Sequence, residues 1–317
     1  MSIITVDNLI KKYRKSQENA VDGISFDVKE GELFAFLGPN GAGKTTTISI
    51  LTTTLSKTSG TVIVDGLDIA ETASEVRQRV GIIFQKPSLD ENLSAEENIR
   101  FHSVLYGLYS FSPSYRLMPK AYKNKVQELA EVVGIGDSLN NPVKQFSGGM
   151  KRKLEIIRSL MHSPKILFLD EPTIGLDPDS RNTLWEYLLN MKHKTGMTVF
   201  LTTHYLDEVE EADTVCIINK GKIVANGSPQ SVKDSMTQET IVFETQPDDV
   251  QQLKDEVTSR GYEAEVKGNK VIVKVREFEK IKNLMNAIST NIADFDVHKP
   301  SMEDAYLQII REEAIDI

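Results

Sequence analysis

Residues 38 to 46 read Gly38-Pro39-Asn40-Gly41-Ala42-Gly43-Lys44-Thr45-Thr46. This stretch fits the phosphate-binding loop G-x-x-x-x-G-K-[ST], in which glycines let backbone N–H groups line a concave anion nest. In such a loop the Lys44 ammonium lies against the β- and γ-phosphates, and the Thr45 hydroxyl is a ligand of Mg²⁺. The pattern therefore predicts that residues 38–46 bind the phosphates of a nucleotide.

The sequence on either side of this loop has the context that the motif requires. Residues 32–37 are an apolar run that predicts a buried strand, and residues 45–55 predict a helix whose N-terminus faces the phosphates. A chance match in a glycine-rich loop is the alternative, and the flanking strand and helix weigh against it.

Composition and charge restrict the class of protein. The chain has 317 residues, enough for two domains, with 40% hydrophobic and 26% charged residues, as in an ordinary globular protein. The net charge of −9 argues against a nucleic-acid binder, which is usually basic. The single cysteine, Cys216, lies in an apolar run and is predicted to be a buried strand residue, which fits a reducing compartment.

The sequence predicts no targeting or membrane-spanning segment. The N-terminal residues lack a basic region followed by an apolar core, so no signal peptide is expected. No apolar run approaches the roughly 18 residues needed to span a bilayer. Any membrane role must therefore come through a separate partner.

Patterning divides the chain into two domains, residues 1–232 and 239–317. In the first, short apolar strands alternate with helices, which predicts a largely parallel α/β sheet with an antiparallel part at its start. Residues 93–139 have helical texture, with Ser94 as N-cap, Glu97 as its capping-box partner and a loop at 110–119. The predicted helical subdomain extends over about residues 93–160. The apolar positions of one of its helices are predicted to be Val126, Leu129, Val132 and Val133.

The second domain alternates in the order β-α-β-β-α-β, the ferredoxin-like pattern, with its second helix marked by Ile281, Leu284, Met285 and Ile288. A last helix at 301–313 carries an apolar stripe of Met302, Ala305, Tyr306 and Ile309. The stripe favours a domain that holds two copies of the chain together, and a domain that senses a small ligand is the competing role. The alternative is that the stripe packs only on its own domain.

Two carboxylates at the end of an apolar strand, Asp170 and Glu171, indicate an ATPase when they follow a phosphate loop. Asp170 would hold Mg²⁺, and Glu171 would orient and deprotonate the attacking water. In the alternative, both only cap the turn before Pro172. His204 also follows an apolar strand, where it contacts the γ-phosphate or is structural.

Two further residues are placed to reach the same cleft. Gln85 is a polar amide at the end of a short buried strand. Tyr13 lies one strand before the phosphate loop, and its ring either stacks on an adenine or is a half-buried part of the sheet.

The order of these motifs resembles that of the ATP-binding subunit of an ABC transporter over about residues 2–232. The matching elements are the A-loop aromatic Tyr13, Walker A at residues 38–46, the Q-loop Gln85, the signature Ser147-Gly148-Gly149, the Walker B aspartate Asp170, the catalytic glutamate Glu171, the D-loop residue Asp177 and the switch histidine His204. The resemblance implies an ATPase of P-loop type with Glu171, His204 and Gln85 in catalysis. It implies ATP as cofactor, with Mg²⁺ held by Thr45, Gln85 and Asp170.

Two features, one of them a departure from the usual signature, indicate a branch of this family. The signature usually reads Leu-Ser-Gly-Gly-Gln, and here it reads Phe146-Ser147-Gly148-Gly149-Met150. Met150 and the run at residues 300–307 resemble the drug-resistance, ABC-2-type exporters. The loop at 110–119 is richer in proline and aromatic residues than is usual in that branch.

The resemblance implies partners and a location. Two cassettes would bind two ATP head to tail in a homodimer and drive a separate integral membrane permease from the cytoplasmic face of the membrane. The expected cargo is a drug, a lipid or another amphipathic compound. The alternatives are an import ATPase with a C-terminal regulatory domain, a non-transport ABC ATPase, and a nucleotide-binding scaffold without hydrolysis.

Overall fold

The structure is a computed structural model that describes residues 1–236, 239–275, 284–285, 287–298 and 301–315. The chain forms two compact units, Met1–Asn226 and Gly227–Ile317. Each unit has a hydrophobic core of its own.

Two sheets form the framework of the first unit. Its strands are β1 (Ser2–Lys12), β2 (Asn19–Lys29), β3 (Leu33–Leu37), β4 (Ser59–Val64), β5 (Leu67–Asp68), β6 (Val80–Ile83), β7 (Ile166–Asp170), β8 (Thr198–Thr203), β9 (Thr214–Asn219) and β10 (Lys222–Gly227). One sheet has the order β10-β9-β3-β8-β7-β6 and is parallel from β9 to β6. The other has the order β2-β1-β4-β5 and is antiparallel. The predicted α/β class is confirmed, including its antiparallel start.

The central strands β3, β7 and β8 are buried along their whole length. Both faces of a parallel sheet are covered, which is why these segments read as continuous apolar runs. Phe26 on β2 stacks on Phe34 of β3 with ring centroids 5.4 Å apart, and this contact joins the two sheets. Cys216 on β9 is fully buried in the same core, as predicted, and burial raises the pKa of its thiol.

The helices of the first unit are α1 (Lys44–Leu51), α2 (Ala73–Arg79), α3 (Ala95–Leu105), α4 (Lys120–Val133), α5 (Gly148–Leu160), α6 (Pro178–Thr195) and α7 (Asp207–Glu210). Helix α1 starts inside the phosphate loop but ends four residues earlier than predicted. The Thr52 hydroxyl donates to the Ile48 carbonyl at 2.7 Å, and Thr54 donates to Ser49 at 2.9 Å. These local bonds compete with continuation of the helix.

The predicted helical subdomain contains α3, α4 and α5. The capping box is present, since Glu97 N–H donates to the Ser94 hydroxyl at 3.2 Å and Ser94 N–H donates to the Glu97 carboxylate at 2.8 Å. Val132 was predicted on the apolar face of α4, and this is wrong because its side chain is 49% exposed. The predicted loop at 110–119 contains one short 3-10 turn, Tyr115–Leu117.

The second unit contains an antiparallel sheet in the order β12-β13-β11-β14. Its elements are α8 (Pro229–Met236), β11 (Glu239–Glu244), α9 (Val250–Ser259), β12 (Glu263–Lys267), β13 (Lys270–Val275), β14 (Asp294–His298) and α10 (Met302–Ile315). The described strands and α9 follow the predicted ferredoxin-like order. The predicted second helix falls largely outside the described residues, although Leu284 is buried in the core of this unit.

The apolar stripe on α10 is buried within the second unit. Met302, Ala305 and Ile309 are each at most 3% exposed, and α10 packs against α8. The alternative, packing on its own unit, therefore describes these three residues, whereas Tyr306 is half-buried, and a dimerising role for the second unit stays a prediction. Among the described residues, no helix is both long and apolar enough to cross a bilayer.

Candidate functional site

The phosphate loop is shaped by glycines that no other residue could replace without strain. Gly41 and Gly43 have φ values of +82° and +112°. A Cβ on Gly43 would lie 2.6 Å from the Ala20 carbonyl oxygen, and one on Gly38 would lie 2.3 Å from the Ile218 carbonyl oxygen. The loop is thus held closely against β2 and β9 while its tip, Asn40 and Gly41, stays exposed.

Lys44 is buried beneath the loop, 4% exposed. Its ammonium donates to the carbonyls of Gly38 at 2.7 Å and Pro39 at 3.2 Å, and it lies 3.3 Å from Oε1 of Glu171. An ammonium has three donors, and here they point at the loop and at one carboxylate. The predicted phosphate-binding group and the predicted base are therefore in direct contact.

Glu171 is the residue on which the site converges. Its Oε2 accepts a hydrogen bond from Nε2 of Gln85 at 2.8 Å, and Nδ1 of His204 lies 3.5 Å from Oε1. Glu171 has a φ of +46°, a left-handed conformation that is uncommon for a glutamate. This backbone conformation differs from the extended conformation of β7, and it directs the Glu171 side chain toward Lys44 and Gln85.

Asp170 ends β7 immediately before Glu171. Its Oδ1 accepts hydrogen bonds from the Thr202 hydroxyl at 2.6 Å and from the Thr45 hydroxyl at 3.4 Å. Burial raises the pKa of Asp170, and the charge of Glu171 adds to the increase, while the two hydroxyls oppose it.

These oxygen donors fit Mg²⁺. Mg²⁺ is held through one or two protein oxygens together with water and substrate phosphates, so the Thr45 hydroxyl and the Asp170 carboxylate suffice on the protein side. In the part of the chain that the structure describes, no group of three or more His, Cys, Asp or Glu side chains is placed to hold a metal by itself. Gln85 turns its amide nitrogen to Glu171, which leaves its amide oxygen as the atom that would face the metal.

Tyr13 lies just after β1 and is 43% exposed. Its hydroxyl is 3.2 Å from Oγ1 of Thr46, and the Lys11 ammonium lies over its ring at 5.4 Å from the centroid. The ring is therefore beside the phosphate loop and open to a ligand, which favours stacking over the role of a half-buried sheet residue.

The signature residues and Asp177 form a second group. Ser147 is the N-cap of α5 and accepts from Met150 N–H at 3.2 Å, while Asp177 is the N-cap of α6 and accepts from Ser180 N–H at 2.9 Å. Gly149 touches the start of α6, because a Cβ there would lie 2.7 Å from Oγ of Ser180. Ser147, Gly148 and Asp177 are all exposed.

Sequence reasoning missed two residues of this site. Thr202 donates to Asp170 and also accepts from Glu171 N–H at 3.1 Å, so one hydroxyl orients both carboxylate residues. The sequence analysis did not single out Arg152, which is 5% exposed and donates to the Glu171 and Gln85 carbonyls. A polar residue at the end of an apolar strand is a signal for Thr202, and the sequence offers none for Arg152.

Comparison with known proteins agrees with this geometry. Residues 21–174 match the family described as ABC transporter. The chain is 33% identical over 316 residues to the linearmycin resistance ATP-binding protein LnrL of Bacillus subtilis, covering 97% of this chain and 98% of that protein. It is also 39% identical over 232 residues to YbhF of Escherichia coli, a probable multidrug ABC transporter ATP-binding protein, covering 73% of this chain and 38% of YbhF.

A solved structure shares the fold of the first unit. The cbiO1 protein of Clostridium perfringens, part of the ABC transporter complex cbiONQ, has a TM-score of 0.64 and 29% identity over 73% of this chain and 90% of its own. These findings confirm the predicted fold and the predicted ATPase class. The chain belongs to the ABC transporter family, among its ATP-binding proteins.

Proposed function

We propose that this chain is the ATP-hydrolysing subunit of an ABC-2-type export transporter and drives a separate membrane permease. The observation that supports it is the convergence of Lys44, Gln85 and His204 on the carboxylate of Glu171. This arrangement joins a phosphate-binding cation to a general base and to two groups that orient the base.

The chemistry follows from the contacts of these side chains. When ATP binds, the Lys44 ammonium would exchange its carbonyl and carboxylate partners for the phosphate oxygens, whose several negative charges attract it more strongly than two carbonyls and one carboxylate do. This exchange frees Glu171 to accept the proton of the attacking water, with Gln85 and His204 fixing the carboxylate and the water. Thr45, Asp170 and Gln85 would hold Mg²⁺, which neutralises charge on the β- and γ-phosphates when bound.

The signature completes the site of a second copy. Ser147 and Gly148 are exposed at the N-terminus of α5, where free N–H groups and the helix dipole favour an anion. We assign this terminus, together with Asp177, to the γ-phosphate side of ATP held by a partner copy. Two copies arranged head to tail then enclose two Mg-ATP.

The exported substance is expected to be a drug, a lipid or another amphipathic compound. Two relatives carry names that refer to multidrug transport and linearmycin resistance, and Met150 in the signature agrees with that branch. The permease would hold the chain on the cytoplasmic face of the membrane. The matched region is 38% of the length of YbhF. The cargo and the permease of this chain are therefore part of the proposal.

Phosphate release by purified variants tests the hydrolytic role. Glu171→Gln keeps the shape of the side chain and removes the base, so turnover should fall by about 10²-fold or more while ATP still binds. Glu263→Gln, at an exposed carboxylate of the second unit, is the matched control and should keep normal turnover. Near-normal phosphate release by Glu171→Gln would reject this residue as the base.

Inside-out vesicles that contain the chain and its permease test the direction of transport. ATP should drive accumulation of ethidium, an amphipathic cation, inside the vesicles, and the Glu171→Gln chain should abolish it. ATP-driven loss of preloaded ethidium would instead indicate an importer.

A further inference from the structure

Arg152 is a buried charge inside the helix that the signature begins. It lies on α5, and its neighbours Lys151 and Lys153 are partly exposed, whereas Arg152 itself is 5% exposed. A guanidinium is rarely buried unless its donors are paired, because removing the charge from water costs several kcal/mol. The hydrogen-bond partners of Arg152 therefore account for its burial.

The partners of Arg152 are the backbone carbonyls of two site loops. Nε donates to Pro172 at 2.8 Å, and Nη2 donates to Glu171 at 3.3 Å, both in the loop that follows β7. Nη1 donates to Phe84 at 2.5 Å, and Nη2 also donates to Gln85 at 3.4 Å, both in the loop that follows β6. One planar guanidinium thus fixes the peptide units of both the predicted base and the glutamine that binds it.

A buried carboxylate balances the charge. Glu155, which is 1% exposed, accepts from Nη1 of Arg152 at 2.8 Å. Its other oxygen accepts from Ser88 N–H at 2.9 Å, three residues beyond Gln85. The Arg152–Glu155 pair therefore ties α5 to both ends of the segment from Phe84 to Ser88.

Arg152 donates to the carbonyl of a residue, Glu171, whose backbone conformation is unfavourable by itself. A φ of +46° at a glutamate persists only where surrounding contacts over-determine it. Glu171 N–H donates to the Thr202 carbonyl at 3.0 Å, and its carbonyl accepts from Arg152, so the residue is held from both sides. This backbone conformation aims the carboxylate at Lys44 and Gln85.

We propose that Arg152 is a positioning residue that couples the signature helix to Gln85 and Glu171 of the same chain. The inference rests on the proposed function, in which the N-terminus of α5 contacts ATP held by the partner copy. Any displacement of α5 by that ATP is transmitted through the guanidinium to the two loops. ATP in one site thereby sets the geometry of the base in the other, which makes hydrolysis cooperative.

Arg152→Lys tests the coupling because it keeps the charge and loses the planar fork that reaches two loops. We expect kcat to fall about 10–10²-fold, as when a reacting group is misplaced by about 1 Å, with the Hill coefficient for ATP falling toward one. Affinity for ATP, measured by calorimetry, should remain within about twofold, since Lys44 and Tyr13 are untouched.

Arg100→Lys is the matched control. Arg100 is 3% exposed, pairs with Glu96 and donates to the Ser112 carbonyl at 2.6 Å, so these contacts involve neither Gln85 nor Glu171. It should lower the thermal midpoint to a similar extent and leave kcat and the Hill coefficient of the folded chain unchanged. Equal losses of kcat in both variants would show that Arg152 is merely structural and overturn the inference.

A charge-neutral double variant covers the case in which Arg152→Lys does not fold. Arg152→Gln combined with Glu155→Gln removes both charges of this pair together, which is less costly than leaving one unpaired. Arg158 loses its ion pair with Glu155 at 3.8 Å but keeps its hydrogen bond to the Ser88 carbonyl at 2.6 Å. Low kcat with unchanged ATP affinity supports the coupling, and normal kcat with normal cooperativity overturns it while the proposed function stands. A wild-type chain that does not hydrolyse ATP would overturn the proposed function and this inference with it.

Discussion

At the scale of single residues, the site is organised around the buried ammonium of Lys44. The Lys44 ammonium is bound by two loop carbonyls and by Glu171. The contact with Lys44 fixes the carboxylate of Glu171 beside the phosphate loop. Under the proposed function, phosphate binding and the activation of Glu171 are therefore linked through Lys44.

Tyr13 permits a test of nucleotide recognition at this scale. Its ring is 43% exposed and its hydroxyl contacts Thr46, so the ring and the hydroxyl can be removed separately. Tyr13→Ala should weaken ATP binding by about 1–3 kcal/mol, the contribution of stacking on an aromatic ring. Tyr13→Phe keeps the ring and should bind ATP almost normally. Calorimetry on both variants decides, and equal weakening by the two would assign the effect to the hydroxyl.

At the scale of elements, a stack of aromatic rings joins α3 to the end of α5. Tyr106 lies between His102 and His162, with ring centroids 4.3 Å and 4.8 Å away. His162 lies 2.9 Å from the Val80 carbonyl oxygen, while Nε2 of His102 and Nδ1 of His162 are buried with no hydrogen-bond partner within the described part of the chain. Burial, with the charges of Arg158 and His162, lowers the pKa of His102 to about 3, and burial also lowers that of His162.

This stack predicts a loss of stability in mild acid. Below about pH 6.5, His102 and His162 are protonated in the unfolded chain but stay largely neutral in the folded chain. The free energy of unfolding therefore decreases as pH falls. The contribution of the neutral His102 to the free energy of unfolding is fully present above pH 6.5 and is lost progressively toward pH 3. Thermal midpoints between pH 7.5 and 5.5 should therefore fall for the wild type and less steeply for His102→Gln.

The exposed His193 provides the control for that measurement. His193→Gln should keep the wild-type dependence of the midpoint on pH. The slope is compared rather than the absolute midpoint, because any substitution inside the stack also changes packing. Parallel slopes for His102→Gln and the wild type would contradict the assignment to His102.

At the scale of the whole molecule, the two units have separate hydrophobic cores. The core of the first joins its two sheets, and that of the second lies between its sheet and α9, with Phe243, Leu253 and Val273 fully buried. Helix α8 belongs to the second unit, since it packs against α10 and buries Val232. The break between the units therefore falls before α8.

Truncation tests the independence of the first unit. A chain of residues 1–226 should bind ATP with the affinity of the full chain, because all of the site residues lie within it. A chain ending after residue 236 keeps α8 without α10 and exposes Val232, so we expect it to be less soluble. Calorimetry measures the affinity, and a large loss in the 1–226 chain would show that the units depend on each other.

The same truncation addresses association of the chain without ATP. Since Met302, Ala305 and Ile309 on α10 are buried within their own unit, these three side chains are not available to a second copy. The degree of self-association without nucleotide, measured by analytical ultracentrifugation, should therefore be the same for the full chain and for residues 1–226. Weaker association of the shorter chain would support a dimerising role for the second unit.

The sequence by itself determined the features that depend on neighbours along the chain. The phosphate loop, the buried strands before it and before Asp170, and the capping box at Ser94 are recognisable because turn chemistry, burial and capping act over a few residues. The strands end where the polar residues Asp170 and His204 begin, so the approximate site was predictable from order alone.

Only the tertiary structure decided which side chains meet. Arg152 reaches carbonyls 67 to 68 residues earlier and 19 to 20 residues later in the chain, and Thr202 reaches Asp170 across 32 residues. The apolar pattern of the stripe on α10 is compatible both with packing against α8 and with packing against another copy of the chain, so the pattern alone does not identify the partner. Periodicity specifies that a face is buried but not its partner, because the partner is set by sheet register and helix packing between segments distant in sequence.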